Sequence, residues 1–342
     1  MKRHYVPSDR AREILSGMTT EEKVGQLFLC RCPADDDQLA VIRNYHLGGY
    51  TLYGVDFASR SPEKVKENIA AYRRESKIPM LIAIDEEGGR VVRASLYPEF
   101  RAEPFPYARE LYLRGGIPEI LRDAREKSRF LLSYGINFNL APVCDMTENE
   151  ENFIYHRTLG EDVGTTCAYI KGVTEVMQEE KIGLSLKHFP GYGDNVDTHT
   201  SVGIDHRTRE EFYSKDLKPF LAGIDAGANV VMLAHNILTQ IDPDFPASLS
   251  SKVVRMLREE IGYDGIIMTD SLDMAAITKF TGDEVAAVTA VRAGVDLLCC
   301  STYHRQVPAV LAAVREGVIP LSRIEESALR IIDYKLELGL MT

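Results

Sequence analysis

A single-domain (β/α)8 barrel is the fold this sequence predicts. Three observations lead there. Short, almost continuously apolar segments alternate with longer segments patterned as helices. Eight apolar segments of this kind run along the chain. Charged and imidazole side chains gather where those segments stop. The 342 residues suit one such barrel, which takes ~250 residues or more with insertions, so residues 1–342 are expected to form one domain.

The candidate strands, in order, are Leu27–Cys32, Gly49–Tyr53, Met80–Asp85, Asn137–Pro142, Gly183–Phe189, Asn229–His235, Gly265–Asp270 and Asp296–Ser301. Several are apolar without alternation, as strands of a parallel sheet covered on both faces must be. The segments between them carry helix signals. Ser61–Pro62–Glu63 sets a capping serine before a helix-starting proline, and Val65, Ile69 and Tyr72 follow at helical spacing. Asp162 to Glu180 reads as one amphipathic helix with Tyr169, Val173 and Val176 turned inward. Thr208 with Glu211 and Ser322 with Glu325 have the spacing of capping boxes. Thr147–Asn152 and Gly191–Arg207 read as loops. Alternating strands and helices of this number argue for a closed barrel, with a doubly wound open sheet as the alternative, because periodicity does not decide closure.

Composition narrows the function. The chain has 40 Lys+Arg against 51 Asp+Glu, a net charge of −11, which repels phosphate backbones and argues against a nucleic-acid partner. No apolar run approaches the ~20 residues of a membrane span, and the basic start Met1–Lys2–Arg3 lacks an apolar stretch behind it. The six cysteines (Cys30, Cys32, Cys144, Cys167, Cys299, Cys300) have neither the spacing of a secreted disulfide framework nor that of a zinc site. The expectation is a cytoplasmic protein with reduced thiols, no metal and no cofactor, working as a monomer or weak homodimer.

The active site of such a barrel is built at the C-terminal ends of its strands. Here the third strand ends in Asp85–Glu86–Glu87–Gly88–Gly89–Arg90, the fourth runs into Asp145 and a loop reaching Arg157, the fifth ends in Lys187–His188, the sixth in His235–Asn236 and the seventh in Asp270–Ser271. Each has a bland explanation alone. Asp85 would cap a turn, His188 would be a satisfied core histidine, and Asp270 would cap a helix entered at Leu272. Five such ends together are poorly explained that way. Further along the fifth loop, Asp197 and His199 stand two residues apart, so in extended chain their side chains share one side. An imidazole that titrates near neutrality can both give and take a proton, with the carboxylate fixing its tautomer.

These motifs resemble glycoside hydrolase family 3, in its β-N-acetylglucosaminidase branch. The likeness runs from about Met18 to the C-terminus. It is carried by Met18–Thr19–Thr20–Glu21–Glu22–Lys23–Val24–Gly25–Gln26–Leu27, by Asp85–Glu86–Glu87–Gly88–Gly89–Arg90, by Lys187–His188–Phe189–Pro190–Gly191 with Asp197–Thr198–His199, by Pro246–Ala247–Ser248–Leu249–Ser250, and by Thr269–Asp270–Ser271–Leu272–Asp273–Met274. The resemblance implies a retaining hydrolase of terminal β-linked N-acetylglucosamine, in which Asp270 is the nucleophile and His199 with Asp197 the acid/base dyad. It implies that Asp85, Arg157, Lys187 and His188 bind the sugar, and it suggests a place in the recycling of cell-wall muropeptides. Tyr192 stands where many relatives carry histidine, and Ser271 replaces a second acidic residue. Asp273 is a rival nucleophile by residue type, set aside because it is expected inside the next helix. The Gly191–Tyr192–Gly193 stretch is expected to let the loop move. The alternatives are a glucosidase or xylosidase of the same family, substrate-assisted chemistry on an Asp85–Glu86 pair, and an inactive sugar-binding barrel. A histidine acid/base also leaves phosphate open as the acceptor in place of water.

Overall fold

Strands buried on both faces force helices outside and close packing inside, and that is the architecture found. The computed structural model describes residues 5–34, 37–160, 162–198 and 201–341. Its strands are β1 Phe28–Arg31, β2 Gly49–Leu52, β3 Leu81–Ile84, β4 Phe138–Asn139, β5 Gly183–Leu184, β6 Leu186–Phe189, β7 Ile204–Asp205, β8 Val230–Leu233, β9 Ile237–Leu238, β10 Ile266–Ser271 and β11 Leu297–Cys300. Among the described residues nine of these form one sheet in the order β5-β4-β3-β2-β1-β11-β10-β8-β6, and every pairing in it is parallel.

The two ends of that order are one strand. β5 and β6 are separated by Ser185 alone. The first half pairs with β4 (Phe138↔Gly183) and the second with β8 (Leu186↔Val231). The nine segments are therefore eight staves, and the sheet closes on itself as a (β/α)8 barrel. The main core is a contiguous cluster of strand and helix side chains, with Phe28, Phe138, Phe189 and Leu298 wholly buried, and Ile154, Tyr192 and Ala234 form a small second cluster.

Local signals explain most helix starts. Ser61 caps Pro62–Glu75 through its hydroxyl on the Lys64 N–H, and Val65, Ile69 and Tyr72 are buried. Asp162 caps Val163–Glu179, which buries Tyr169, Val173 and Val176. Thr208 and Glu211 form the expected capping box. Ser322 does not: the last helix, Leu321–Glu337, begins at Pro320, so Ser322 already lies inside it, and Glu325 pairs with Lys23 at 2.6 Å. The long helix Ala108–Tyr134 is bent at Gly115–Gly116, which lets Pro118 sit at the start of a new helical run. The Gly191–Arg207 stretch is not wholly loop. β7 lies within it and pairs with β9, Ile204 opposite Ile237.

The barrel's lower end is locked by one carboxylate. Asp296, fully buried before β11, accepts from Arg258 at 2.5 Å, Arg323 and Ser327 at 2.8 Å and the Ile267 N–H at 3.0 Å. Burial alone would raise its pKa, but the arginines outweigh it and hold the carboxyl at about 2. A depressed folded pKa contributes stability that is present above the ordinary aspartate value and lost as pH falls through the folded one. Asp296→Asn should therefore cost on the order of 2 kcal/mol at pH 7. Urea unfolding from pH 7 to pH 2 checks this: the gap from wild type should narrow below about pH 4, and a gap independent of pH would refute it.

Candidate active site

Five of the eight staves deliver their last polar side chains to the same rim. Asp85, Glu86 and Glu87 follow β3, Asp145 follows β4, Lys187 and His188 lie in β6, His235 follows β8, and Asp270 and Ser271 end β10. The register joins them. Val143 bridges Lys187, and the Cys144 N–H donates to the Lys187 carbonyl at 2.7 Å. Asp145 is thereby set beside His188.

What results is a buried charge network. Lys187, 2% exposed, donates from Nζ to Asp85 at 2.8 Å and pairs with Glu87 at 2.7 Å. Glu87 accepts both arms of the Arg157 fork, Nε at 2.9 Å and Nη2 at 2.8 Å. This bidentate geometry favours arginine over lysine. Burial alone would push the Glu87 carboxyl up, yet Arg157 and Lys187 hold it well below the usual carboxylate range. Burial likewise opposes the charge on Lys187, and Asp85 and Glu87 more than offset it, raising its pKa above the ordinary lysine value.

His188 is oriented from two sides. Its backbone N–H and its Nδ1 both meet Asp145 Oδ2, at 3.1 and 2.7 Å, and its Nε2 stands 3.3 Å from Arg157 Nη2. A guanidinium only donates, so Nε2 accepts and the ring proton sits on Nδ1. The other Asp145 oxygen accepts the Tyr192 N–H at 2.8 Å. Tyr192 is 2% exposed, packs edge-on against His188 and Phe153 with centroids 5.1 Å away, and hydrogen-bonds Thr198 through its hydroxyl. The expected hinge at Gly191–Tyr192–Gly193 is therefore anchored at its centre. Tyr192 thus packs the loop against the sugar-binding candidates.

Asp270, half-buried at the end of β10, holds Oδ1 2.7 Å from the Ser271 N–H. His235 accepts from the Ser248 hydroxyl at 2.7 Å and donates through Nε2 to the Ser271 carbonyl at 2.9 Å, so the backbone next to Asp270 is fixed. Asp270 and Asp85 are both near enough to Tyr53 and Cys299 to help raise their pKa values, after burial. Tyr53 and Cys299 thus lie close to both carboxylates. Tyr53 carries the Arg31 guanidinium over its ring at 4.7 Å, and Arg93 lies 3.7 Å from Asp85.

Three sequence expectations change here. Asp273 is not inside a helix. It precedes Ala275–Thr278, accepts from the Ser301 N–H and from the Thr302 hydroxyl at 2.9 Å, and so ties the β10 and β11 loops together. The helix after β10 is entered at Ala275, not at Leu272. Glu86, fully buried, accepts the N–H groups of Arg93, Ala94 and Ser95 at 3.0, 2.9 and 3.2 Å and the Ser95 hydroxyl. A carboxylate so occupied is a structural acceptor, which removes it from any catalytic pair with Asp85. Asp197 is half-buried beside the buried Thr198, whose carbonyl accepts from the Ala276 N–H at 3.3 Å. His199 lies outside the described residues. Glu87, Asp145 and Tyr192 were not singled out as site residues. Glu87 and Asp145 carried a signal nonetheless, as acids directly following strands.

The chain resembles known proteins in both sequence and fold. The model of the glycosyl hydrolase family 3 N terminal domain matches residues 19–334. A Mycobacterium tuberculosis protein named beta-hexosaminidase LpqI is 30% identical over 329 residues, 93% of this chain and 83% of that protein. A beta-hexosaminidase of Xylella fastidiosa is 33% identical over 261 residues, 74% of each chain. Among solved structures, a family 3 beta-N-acetylglucosaminidase from Paenibacillus sp. str. FPU-7 superposes with a TM-score of 0.87 at 32% identity. The superposition covers 95% of this chain but only 63% of that longer one. M. tuberculosis LpqI superposes with a TM-score of 0.85 at 28% identity, over 96% of this chain and 97% of that one.

Proposed function

The chain belongs to glycosyl hydrolase family 3, and on that footing we propose that it is a retaining β-N-acetylglucosaminidase acting on terminal β-linked N-acetylglucosamine. The observation that carries the reading is the buried Asp85–Lys187–Glu87–Arg157–His188 network, set at the same strand-end rim as Asp270. Such a pre-charged rim, built on rigid strand ends, suits a polyhydroxylated ring. Asp85 accepts from sugar hydroxyls, while Lys187 and Arg157 donate through charge-assisted bonds. His188 Nε2, next to Arg157, completes the contact surface.

In this mechanism Asp270 attacks the anomeric carbon as the bond to the leaving oxygen breaks and His199 donates its proton to that oxygen. The glycosyl-enzyme ester is then hydrolysed. His199 takes a proton from water, the hydroxide equivalent bonds to the anomeric carbon, and Asp270 leaves as a carboxylate. Asp197 orients the imidazole. The occupation of Glu86 by backbone N–H groups supports a covalent route over attack by the substrate's own acetamido group, which needs a second carboxylate to assist it.

The same reading assigns the enzyme to the turnover of N-acetylglucosamine-bearing muropeptides, a role that rests on the family resemblance. The protein would work there as a monomer or weak homodimer in a reducing compartment, a setting that suits its six free cysteines. Among the described residues no helix is long and apolar enough to cross a membrane.

The test is a pair of assays. An aryl β-N-acetylglucosaminide should give a kcat/KM at least about tenfold above that of the matching β-glucoside, the scale on which one well-read substituent discriminates. A larger value for the glucoside would overturn the substrate assignment.

A further inference from the structure

The ends of the loop that carries Asp197 and His199 converge on one side chain. Arg207 donates from Nη2 to the Gly191 carbonyl at 2.7 Å, at the loop's start. The same guanidinium grips Asp205 at its far end, with Nη2 at 2.6 Å and Nε at 3.0 Å. Its Nη1 donates to Asp216 at 2.6 Å, and Phe212 lies 4.4 Å beneath it. Asp205 and Asp216 are 2% and 4% exposed, so these are desolvated, geometrically fixed pairs.

Asp205 reaches further. It accepts Asn195 Nδ2 at 2.7 Å, within the first limb of the loop, and its own carbonyl accepts the Thr239 N–H at 2.9 Å. The Gly203 carbonyl accepts the Ile237 N–H at 2.8 Å, seating the second limb on β9. The two loop glycines serve the same joint. A Cβ on Gly193, whose φ is +54°, would lie 2.6 Å from the guanidinium, and one on Gly191 would meet Asp216 at 3.0 Å. Both are small because the chain passes close to the joint.

We propose that Arg207 is a positioning residue for proton transfer: by clasping Gly191 to Asp205 and Asp216 it fixes the two described limbs on either side of the proposed acid/base residue. This rests on the assignment of that loop as the acid/base segment. Pinning both ends of a loop removes conformations open to whatever the loop carries, and misplacing a reacting group by an ångström costs about 10²-fold in rate.

The measurement that separates positioning from general stability is leaving-group dependence. Dinitrophenolate departs without protonation, whereas a phenol leaving group needs the acid. For Arg207→Lys, which keeps the charge but loses the fork, kcat/KM on phenyl β-N-acetylglucosaminide should fall about 10²-fold. On the 2,4-dinitrophenyl glycoside it should fall less than about threefold, since positioning of the acid no longer matters there. Asn195→Ala, which removes the side-chain bonds to Asp205 and to the Tyr192 carbonyl, should show the same split more weakly and covers the case in which Arg207→Lys does not fold. Equal losses on both substrates, or no loss on either, would overturn the proposal. His199→Ala run alongside keeps the two ideas apart. If it shows no split, the acid assignment fails. If it shows the split while Arg207→Lys and Asn195→Ala do not, the clasp fails alone.

Discussion

Asp270→Ala should lower kcat/KM for an aryl β-N-acetylglucosaminide by at least about 10⁴-fold, the scale on which loss of a covalent nucleophile falls. The side chain is partly exposed, and the backbone beside it is held independently of the carboxylate, by His235 on the Ser271 carbonyl. Removal of the carboxylate should therefore leave the fold intact, and the loss should appear in kcat with little change in thermal midpoint. The same substitution at Asp273 should behave in the opposite way. Its carboxylate joins the Ser301 N–H and the Thr302 hydroxyl, so Asp273→Ala should lower stability and spare more of the activity. Steady-state kinetics and thermal unfolding of the two variants check both statements. A fully active Asp270→Ala enzyme would refute the mechanism.

Glu87→Gln should be the most damaging change in the sugar-binding network. The glutamate is the shared acceptor of Arg157 and Lys187. Glutamine keeps the volume but removes the charge, leaving two buried cations with only Asp85 beside Lys187, and with Asp145 and Asp85 near Arg157. Breaking a buried pair in this way costs about 3–5 kcal/mol, which for a chain of this size corresponds to a fall in Tm on the order of 5–10 °C. Because Arg157 and Lys187 lose their fixed positions together, KM should rise as well. A Tm within a degree of wild type would show that the network is not the structural keystone described.

The barrel was legible because parallel strands covered on both faces are largely apolar, and all eight staves fall on the segments read as strands. What escaped was short or tertiary. β7 is two residues long with Ile204 exposed, and its partner Ile237 lies far away in sequence, so no local pattern announces it. The Ser322 box failed because Pro320 opens the helix earlier. At the site, strand ends exposed Asp85, Lys187, His188 and Asp270 as candidates, since polar groups have no other reason to follow so many buried strands. Their pairing was not legible. That Glu86 is consumed by backbone while Glu87 bridges two cations depends on how the segment after β3 folds back, and neighbouring glutamates look alike in sequence. Tyr192 was visible only as a departure from relatives. Its part in joining Asp145 to Thr198 emerges from packing.

The most direct test of the central claim is to locate the covalent intermediate. Wild-type enzyme incubated with a 5-fluoro-β-N-acetylglucosaminyl fluoride, then digested and mapped by mass spectrometry, should carry one sugar ester on the peptide containing Asp270, and Asp270→Ala should carry none. An ester on a different carboxylate, or an enzyme that turns over substrate freely yet never accumulates a label, would contradict the account.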